Sequence, residues 1–200
     1  MARYTGPKHK LSRREGVNLT GKVSQSLERR LTALPGMHGR RGRRKTSEYG
    51  LQLREKQKLK RIYGLLERQF ANYIEEASRV RGNTEDVLLQ LLESRLDNIV
   101  YRLGFAESRA QSRQYVTHGH VRVNGKKASI PSFRVSEGDM ITLSPKLLNL
   151  DIIKEKLSAD ENLPEYVIRN NAEGKLVRKP TRDEIANPVD YALVIEFYSR

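Results

Sequence analysis

The sequence predicts an α+β chain in three parts. A basic N-terminal arm spans 1–45. An all-helical subdomain spans 46–94, with 187–200 packing back on it. A helix–helix–hairpin module with a small antiparallel sheet spans 95–186, its motif core at 95–143. Three observations support this. Leu66, Phe70, Tyr73, Ile74 and Ala77 recur at the spacing of one helix face. Val121-Arg122-Val123 alternates as a strand and runs into Asn124-Gly125, a strong type I′ hairpin signal. Gly and Pro punctuate the arm at Gly6-Pro7, Gly16, Gly21, Pro35-Gly36, Gly39 and Gly42, leaving little apolar sequence for a core.

Each element has its own signals. In the arm, Leu27, Leu31 and Leu34 suit a short helix over 24–34. The run Arg40-Arg41-Gly42-Arg43-Arg44-Lys45 repels itself until an anion neutralises it. The arm is therefore expected to order on phosphates, and deleting 1–45 is expected to leave the fold intact. Ser47 can cap a helix through about Lys60, and Gly64 interrupts the pattern. Gly82 stands where a glycine ends the helix that follows, and Asn83 or Thr84 can cap the next, with Val87, Leu88, Leu91 and Leu92 as its stripe. Near the C-terminus, Asn187 as cap and Pro188 in the first turn open a helix over VDYALVIEFY, with a strand as the alternative.

In the module, Ser94 and Asp97 make an S-x-x-D start, Leu96, Ile99, Val100 and Leu103 face inward, and Gly104 ends the helix. Ser108 and Gln111 open a second helix by a capping box, which Gly119 closes. Further strands are expected at 133–135, 140–143, 166–168 and 176–178, with turns at Glu137-Gly138-Asp139 and near Gly174.

The charge is strongly uneven. The formal net charge is +14 and the pI about 10.1. Residues 1–50 hold 13 Lys/Arg against 3 acids, and 91–150 hold 9 against 5, whereas 151–200 hold 8 against 10. That balance suits a nucleic acid or an anionic membrane surface. Cysteine is absent, which excludes a disulfide framework, a thiolate nucleophile and a cysteine zinc site. No apolar run approaches the roughly 18 residues of a membrane span, and the N-terminus lacks the apolar region of a secretory signal, so a soluble, intracellular protein is expected.

The candidate site lies in ESRLDNIVYRLGFAESRAQSRQYVTHGHVRVNGKK, residues 93–127. Beyond Glu93, seven Lys/Arg (Arg95, Arg102, Arg109, Arg113, Arg122, Lys126 and Lys127) face two acids, Asp97 and Glu107. Arg95 and Arg102, seven apart, share a helix face, and Arg109 and Arg113, four apart, are neighbours. Ser112 and Gln114 beside them suit phosphate or ribose oxygens, and His118-Gly119-His120 offers close backbone approach. An ordinary charged helix surface is the alternative. Zinc fingers, a basic zipper and an aromatic single-strand motif are all missing, which leaves folded RNA read by shape, phosphates and 2′-hydroxyls.

The same run resembles the RNA-binding motif named after bacterial small-subunit ribosomal protein S-four. MARYTGPKHKLSRREG, RGRRKTSEYGLQLREKQKLKRIYG and NPVDYALVIEFYSR extend the resemblance over nearly the whole chain. It implies a cytoplasmic, ribosomal, non-enzymatic protein. It implies a primary binder of 16S ribosomal RNA, at a junction of the 5′ domain, that nucleates assembly of the 30S body. Ribosomal proteins S-five and S-twelve are implied as neighbours, with a share in decoding accuracy, and repression of its own messenger RNA is a trait of some members. Other members hold zinc with four N-terminal cysteines. This chain resembles the zinc-free branch, with no cofactor and no membrane partner implied. The resemblance assigns RNA contact to Arg95, Ser108, Arg109, Gln111, Arg113, Gln114, His118, His120, Asn124 and Lys126. Charge adds Arg122 and Lys127, with Arg3, Lys8, Lys10, Arg13, Arg14, Arg40, Arg41, Arg43, Arg44 and Lys45 in the arm.

Two other classes compete. An RNA-modifying enzyme carrying this module would need a catalytic constellation elsewhere, and the remaining helical residues show none. Glu75-Glu76 lies on the patterned helix facing solvent, and His118-x-His120 lacks an evident third metal ligand. A general DNA- or membrane-binding basic protein is the other.

Overall fold

The computed structural model describes residues 4–21, 24–37, 39, 45–158, 163–185 and 187–199. Its helices are α1 Lys8–Glu15, α2 Gln25–Glu28, α3 Glu48–Ile62, α4 Glu67–Arg79, α5 Thr84–Glu93, α6 Leu96–Arg102, α7 Arg109–Thr117, α8 Pro145–Leu148, α9 Asp151–Ser158 and α10 Tyr191–Tyr198. Its strands are β1 Val121–Val123, β2 Lys126–Ala128, β3 Met140–Leu143, β4 Val167–Asn170 and β5 Glu173–Leu176. The chain divides into two compact units, 1–85 with 187–200 and 86–186. The division falls inside α5, nine residues before the boundary drawn from the sequence. The far end of α5 carries Glu93, whose carboxylate bonds only into the second unit among the contacts described below.

In the first unit, Ser47 caps α3 by accepting the Gly50 N–H at 3.2 Å, and the face of α4 expected to be buried is buried, through Phe70, Tyr73, Ile74 and Ala77. Gly82 is not the terminating glycine. The helix stops at Arg79 with Val80 already extended, and Gly82 lies in the following turn. Asn83 accepts the Glu85 N–H at 3.0 Å as α5 begins. The C-terminal segment is a helix, packed on α3 and α4. Its cap is Asp190, which accepts from Ala192 and Leu193, rather than Asn187. The Asn187 side chain instead donates to the hydroxyls of Tyr63 at 3.1 Å and Tyr191 at 3.2 Å.

The arm departs most from expectation. Leu19 and Leu27 are buried at 7% and 2% exposure. The buried Glu15 of α1 takes the guanidinium groups of Arg54 and Arg61 on α3. Arg13 donates to the carbonyls of Ala33 and Leu34, both at 3.0 Å, so only Gln25–Glu28 of the segment 24–34 is α-helical and the rest turns. The described part of the arm thus contributes core. The basic run at 40–44 and Arg3 lie outside the described residues.

The second unit is an antiparallel sheet of order β2-β1-β3-β5-β4. Leu96, Ile99, Val100, Leu103 and Val116 of α6 and α7 share its core with Val121, Ile141, Leu143, Tyr166 and Leu176. Asn124 and Gly125 adopt φ of 50° and 78°, the paired positive values of a type I′ turn. Residues 133–135 form no strand; Arg134 makes a single bridge to Arg95. The turn expected near Gly174 sits at Asn171, φ 50°, and Gly174 lies within β5. Helices α8 and α9 had no anticipated counterpart: they are short and Leu147 and Ile153 are their only fully buried residues.

Three outcomes follow for the first unit. Leu27→Ala should lower its stability by roughly 2–4 kcal/mol, and deletion of 1–45 should lower the melting temperature of the whole chain, both read by thermal unfolding. The third concerns acid. Burial would raise the Glu67 carboxyl, but hydrogen bonds from Lys56, Lys60 and Tyr198 outweigh it and hold it at about 2. A depressed carboxylate stabilises the fold above its ordinary value of 4.5, and that contribution disappears as pH falls toward about 2. Glu67→Gln should therefore make helicity, followed by circular dichroism, less dependent on pH across that window.

Candidate nucleic-acid interface

Two buried carboxylates organise the arginines. Glu93, at the end of α5, has a fully buried side chain. It accepts both Nε (2.9 Å) and Nη2 (2.8 Å) of Arg102, Asn98 Nδ2 at 2.7 Å and the Tyr166 hydroxyl at 2.9 Å. Burial first, and then the Glu93 charge, push the Tyr166 phenol far up, so it stays a donor. Arg109 donates through Nε to Asn98 Oδ1 at 2.7 Å, lies 4.6 Å from the Tyr101 ring centre, and brings Nη2 within 3.9 Å of Glu93. Asp97, on α6, takes Arg95 in bidentate fashion at 3.0 and 2.7 Å and Arg113 at 3.1 Å. Its carbonyl accepts the Ser112 hydroxyl at 2.5 Å, which ties α6 to α7.

The expected line of arginines is therefore an interior lattice with an outer edge. Arg95 is 1% exposed and is the N-cap residue before α6, so it does not share a helix face with Arg102. Ser94, the expected cap, instead donates to the Leu91 carbonyl. Arg113 is 8% exposed, and Ser112 is fully buried with its hydroxyl engaged, so it does not reach out to phosphate. Ser108 accepts the Gln111 N–H at 3.3 Å, while Gln111 Oε1 reaches back to the Glu107 N–H at 2.9 Å, one residue short of a full capping box. Arg109, Gln111 and His120 are partly exposed.

Gln114, His118, Arg122, Asn124, Lys126 and Lys127 are exposed and gather around α7 and the hairpin. Arg122 and Lys127 are direct cross-strand partners on β1 and β2. Gly119, at φ 72°, closes α7, and a Cβ there would meet Lys127 Cε at 2.0 Å. The positive φ favours glycine there, and the Lys127 side chain lies across the helix end. The His118 and His120 rings are 6.2 Å apart, and among the described residues no group of three metal-ligating side chains exists. Asn124 clamps the tip: it donates to Asp139 at 2.8 Å and accepts the Met140 N–H at 2.9 Å. In the arm, Lys8, Lys10, Arg14 and Lys45 are exposed and Arg13 is held by carbonyls.

The sequence reading set Glu93 aside and did not single out Asn98, Tyr101 or Tyr166. One signal was available. Glu93 follows Leu92 and precedes Leu96 by three, which places an acid on the buried side of the chain. Removing one partner of a buried pair strands the other. With Arg102 17% exposed, Glu93→Gln should cost roughly 2–3 kcal/mol in urea unfolding, whereas Arg122→Ala should stay within about 0.5 kcal/mol.

Comparison with known proteins agrees with this architecture. Residues 3–93 match the family described as ribosomal protein S4/S9 N-terminal domain, and 94–141 match the S4 domain. Small ribosomal subunit protein uS4 of Brevibacillus brevis is 48% identical, that of Geobacillus kaustophilus 50% and that of Latilactobacillus sakei 51%, each over 100% of both chains. An arginine-bearing helix pair with its hairpin, matched end to end at this identity, means that the chain belongs to the family of the bacterial small ribosomal subunit protein uS4.

Proposed function

We propose that this protein, a structural constituent of the small ribosomal subunit and not an enzyme, is a primary binder of 16S ribosomal RNA that nucleates assembly of the 30S body. The observation that carries the reading is the cationic hairpin edge, Arg122, Lys126 and Lys127, which follows directly on the helices braced by Glu93 and Asp97. The hairpin backbone is fixed by its ladder and turn, so little backbone ordering entropy is lost on binding. Arg109, Gln111, Gln114, His118, His120 and Asn124 extend it. Arg95, Arg113 and Ser108 are buried and brace α6 and α7. Lys8, Lys10, Arg14 and Lys45 supply a second basic surface in the arm. A place in the bacterial cytoplasm follows from the ribosome. Contact with proteins S-five and S-twelve, and through them a share in decoding accuracy, belongs to the same proposal.

Footprinting on naked small-subunit ribosomal RNA tests it. Protections should cluster at one helical junction of the 5′ domain. Diffuse protection, or equal displacement by duplex DNA, would sink specific RNA recognition. Salt titration tests the edge itself. Contact with 6–10 phosphates implies about 10³–10⁵-fold weaker binding at 200 than at 50 mM salt. Each of Arg122→Ala, Lys126→Ala and Lys127→Ala should reduce the logarithmic slope by roughly 0.7–0.9, and a triple variant with an unchanged slope removes the hairpin from the interface.

A further inference from the structure

We propose that an open depression beside the hairpin tip receives one unpaired nucleotide of the bound RNA, its base against Phe133 and Ile130 and its phosphate on Lys126. This rests on the RNA-binding reading above and adds to it a base-stacking site that charge alone does not supply.

The depression, about 380 Å³, is lined by Phe133, Ile130 and Lys126 together with Val123, Asn124 and Asp139, among others. Ile130 is 57% exposed and Phe133 41%. Single exposed apolar residues are ordinary, and what distinguishes these two is that they share one depression with Lys126. Their backbone is rigid. The Phe133 N–H donates to the Ile130 carbonyl at 3.0 Å across Pro131, which is buried. The turn is then pinned to the start of α6, where Leu96 N–H donates to Phe133 O at 2.8 Å and Asp97 N–H to Pro131 O at 3.2 Å. The same residue, Asp97, anchors Arg95 and Arg113. The arginine lattice and the apolar platform are thus fixed to one another.

The chemistry favours a nucleotide. A rigid aromatic face beside an ammonium group matches a base with its phosphate, and stacking accepts any base because each has a π-face. Asp139, the acid at the rim, has both oxygens engaged, by Asn124 Nδ2 at 2.8 Å and by the Ser136 N–H at 2.8 Å. An added peptide strand fits poorly, because the neighbouring edge strand β2 is three residues long and two of them are lysine.

The test uses the full chain and small-subunit ribosomal RNA. Phe133→Ala should weaken binding on the order of ten-fold at fixed salt, leave the salt slope unchanged and expose one unpaired base to chemical modification. Phe133→Trp should restore affinity and protection. Ile130→Ser, at a more exposed position, should act in the same direction and guards against a folding defect in the first variant. A benzophenone amino acid at position 133 should cross-link to that nucleotide. Wild-type affinity and base protection in both Phe133→Ala and Ile130→Ser, or cross-links only to protein in the assembled subunit, would overturn the site alone. Failure of the unmodified chain to bind the RNA would overturn the RNA-binding reading and this site with it.

Discussion

The second unit depends on two carboxylates with almost no access to water. Glu93 and Asp97 hold four arginines between them, and through Asn98, Ser112 and Tyr166 they join α5, α6, α7 and the chain entering β4. Such pairs lose hydration when buried, and an apolar replacement of the same shape would often be as stable. Stability alone therefore does not explain the arrangement. What the ion pairs add is direction. A guanidinium held at two nitrogens, as in Arg102, or stacked on a ring, as in Arg109 on Tyr101, has a fixed plane and a fixed outer edge. A solvated arginine on a free stem has neither.

The surface is consequently built in two tiers. The inner tier is the arginine lattice, which sets the spacing of α6 and α7. The outer tier is the hairpin and helix end, where Arg122, Lys126 and Lys127 stand exposed. Local sequence fixes the outer tier: Asn124-Gly125 sets the turn, Asn124 and Asp139 clamp it to β3, and Gly119 ends α7 where Lys127 lies across it. The turn carrying Phe133 connects the tiers, because its carbonyls accept the N–H groups that open α6.

Features decided within one turn of chain were legible in the sequence: the Ser47 cap, the buried face of α4, the glycines after α6 and α7, and the Asn124-Gly125 hairpin. Features decided between elements were not. Packing decided the caps: Ser94 bonds back to Leu91, so α6 starts after Arg95 with no side-chain cap, and Asp190 rather than Asn187 caps α10, leaving Asn187 to the hydroxyls of Tyr63 and Tyr191. The arm read as coreless because its leucines are sparse, yet Leu19 and Leu27 are buried, and Glu15 has its partners 39 and 46 residues away. For the site, composition and spacing picked out the stretch that matches the S4 domain and its concentration of positive charge. They did not distinguish an arginine bound by Asp97 from one facing outward, because that depends on which acid lies underneath. The residues 133–135 read as a strand because Phe and Val favour one, whereas backbone bonds to α6 make them a turn.

The same physical device recurs in the first unit. Glu15 takes Arg54 and Arg61, and Glu67 takes Lys56 and Lys60, just as Glu93 takes Arg102 and Arg109 and Asp97 takes Arg95 and Arg113. Four carboxylates thus hold eight cations among the described residues. A chain of net charge +14 opposes its own compaction. Placing a carboxylate between two cations relieves that repulsion where it is strongest, in the low-dielectric interior, with three of the four acids almost fully buried. The remaining repulsion lies between exposed cations, where water and salt screen it. Neutralising those outer cations as well would make the isolated chain more comfortable and would remove the field that draws RNA. Concentrating the acids beneath the arginines reconciles a foldable interior with a surface that keeps a net positive charge.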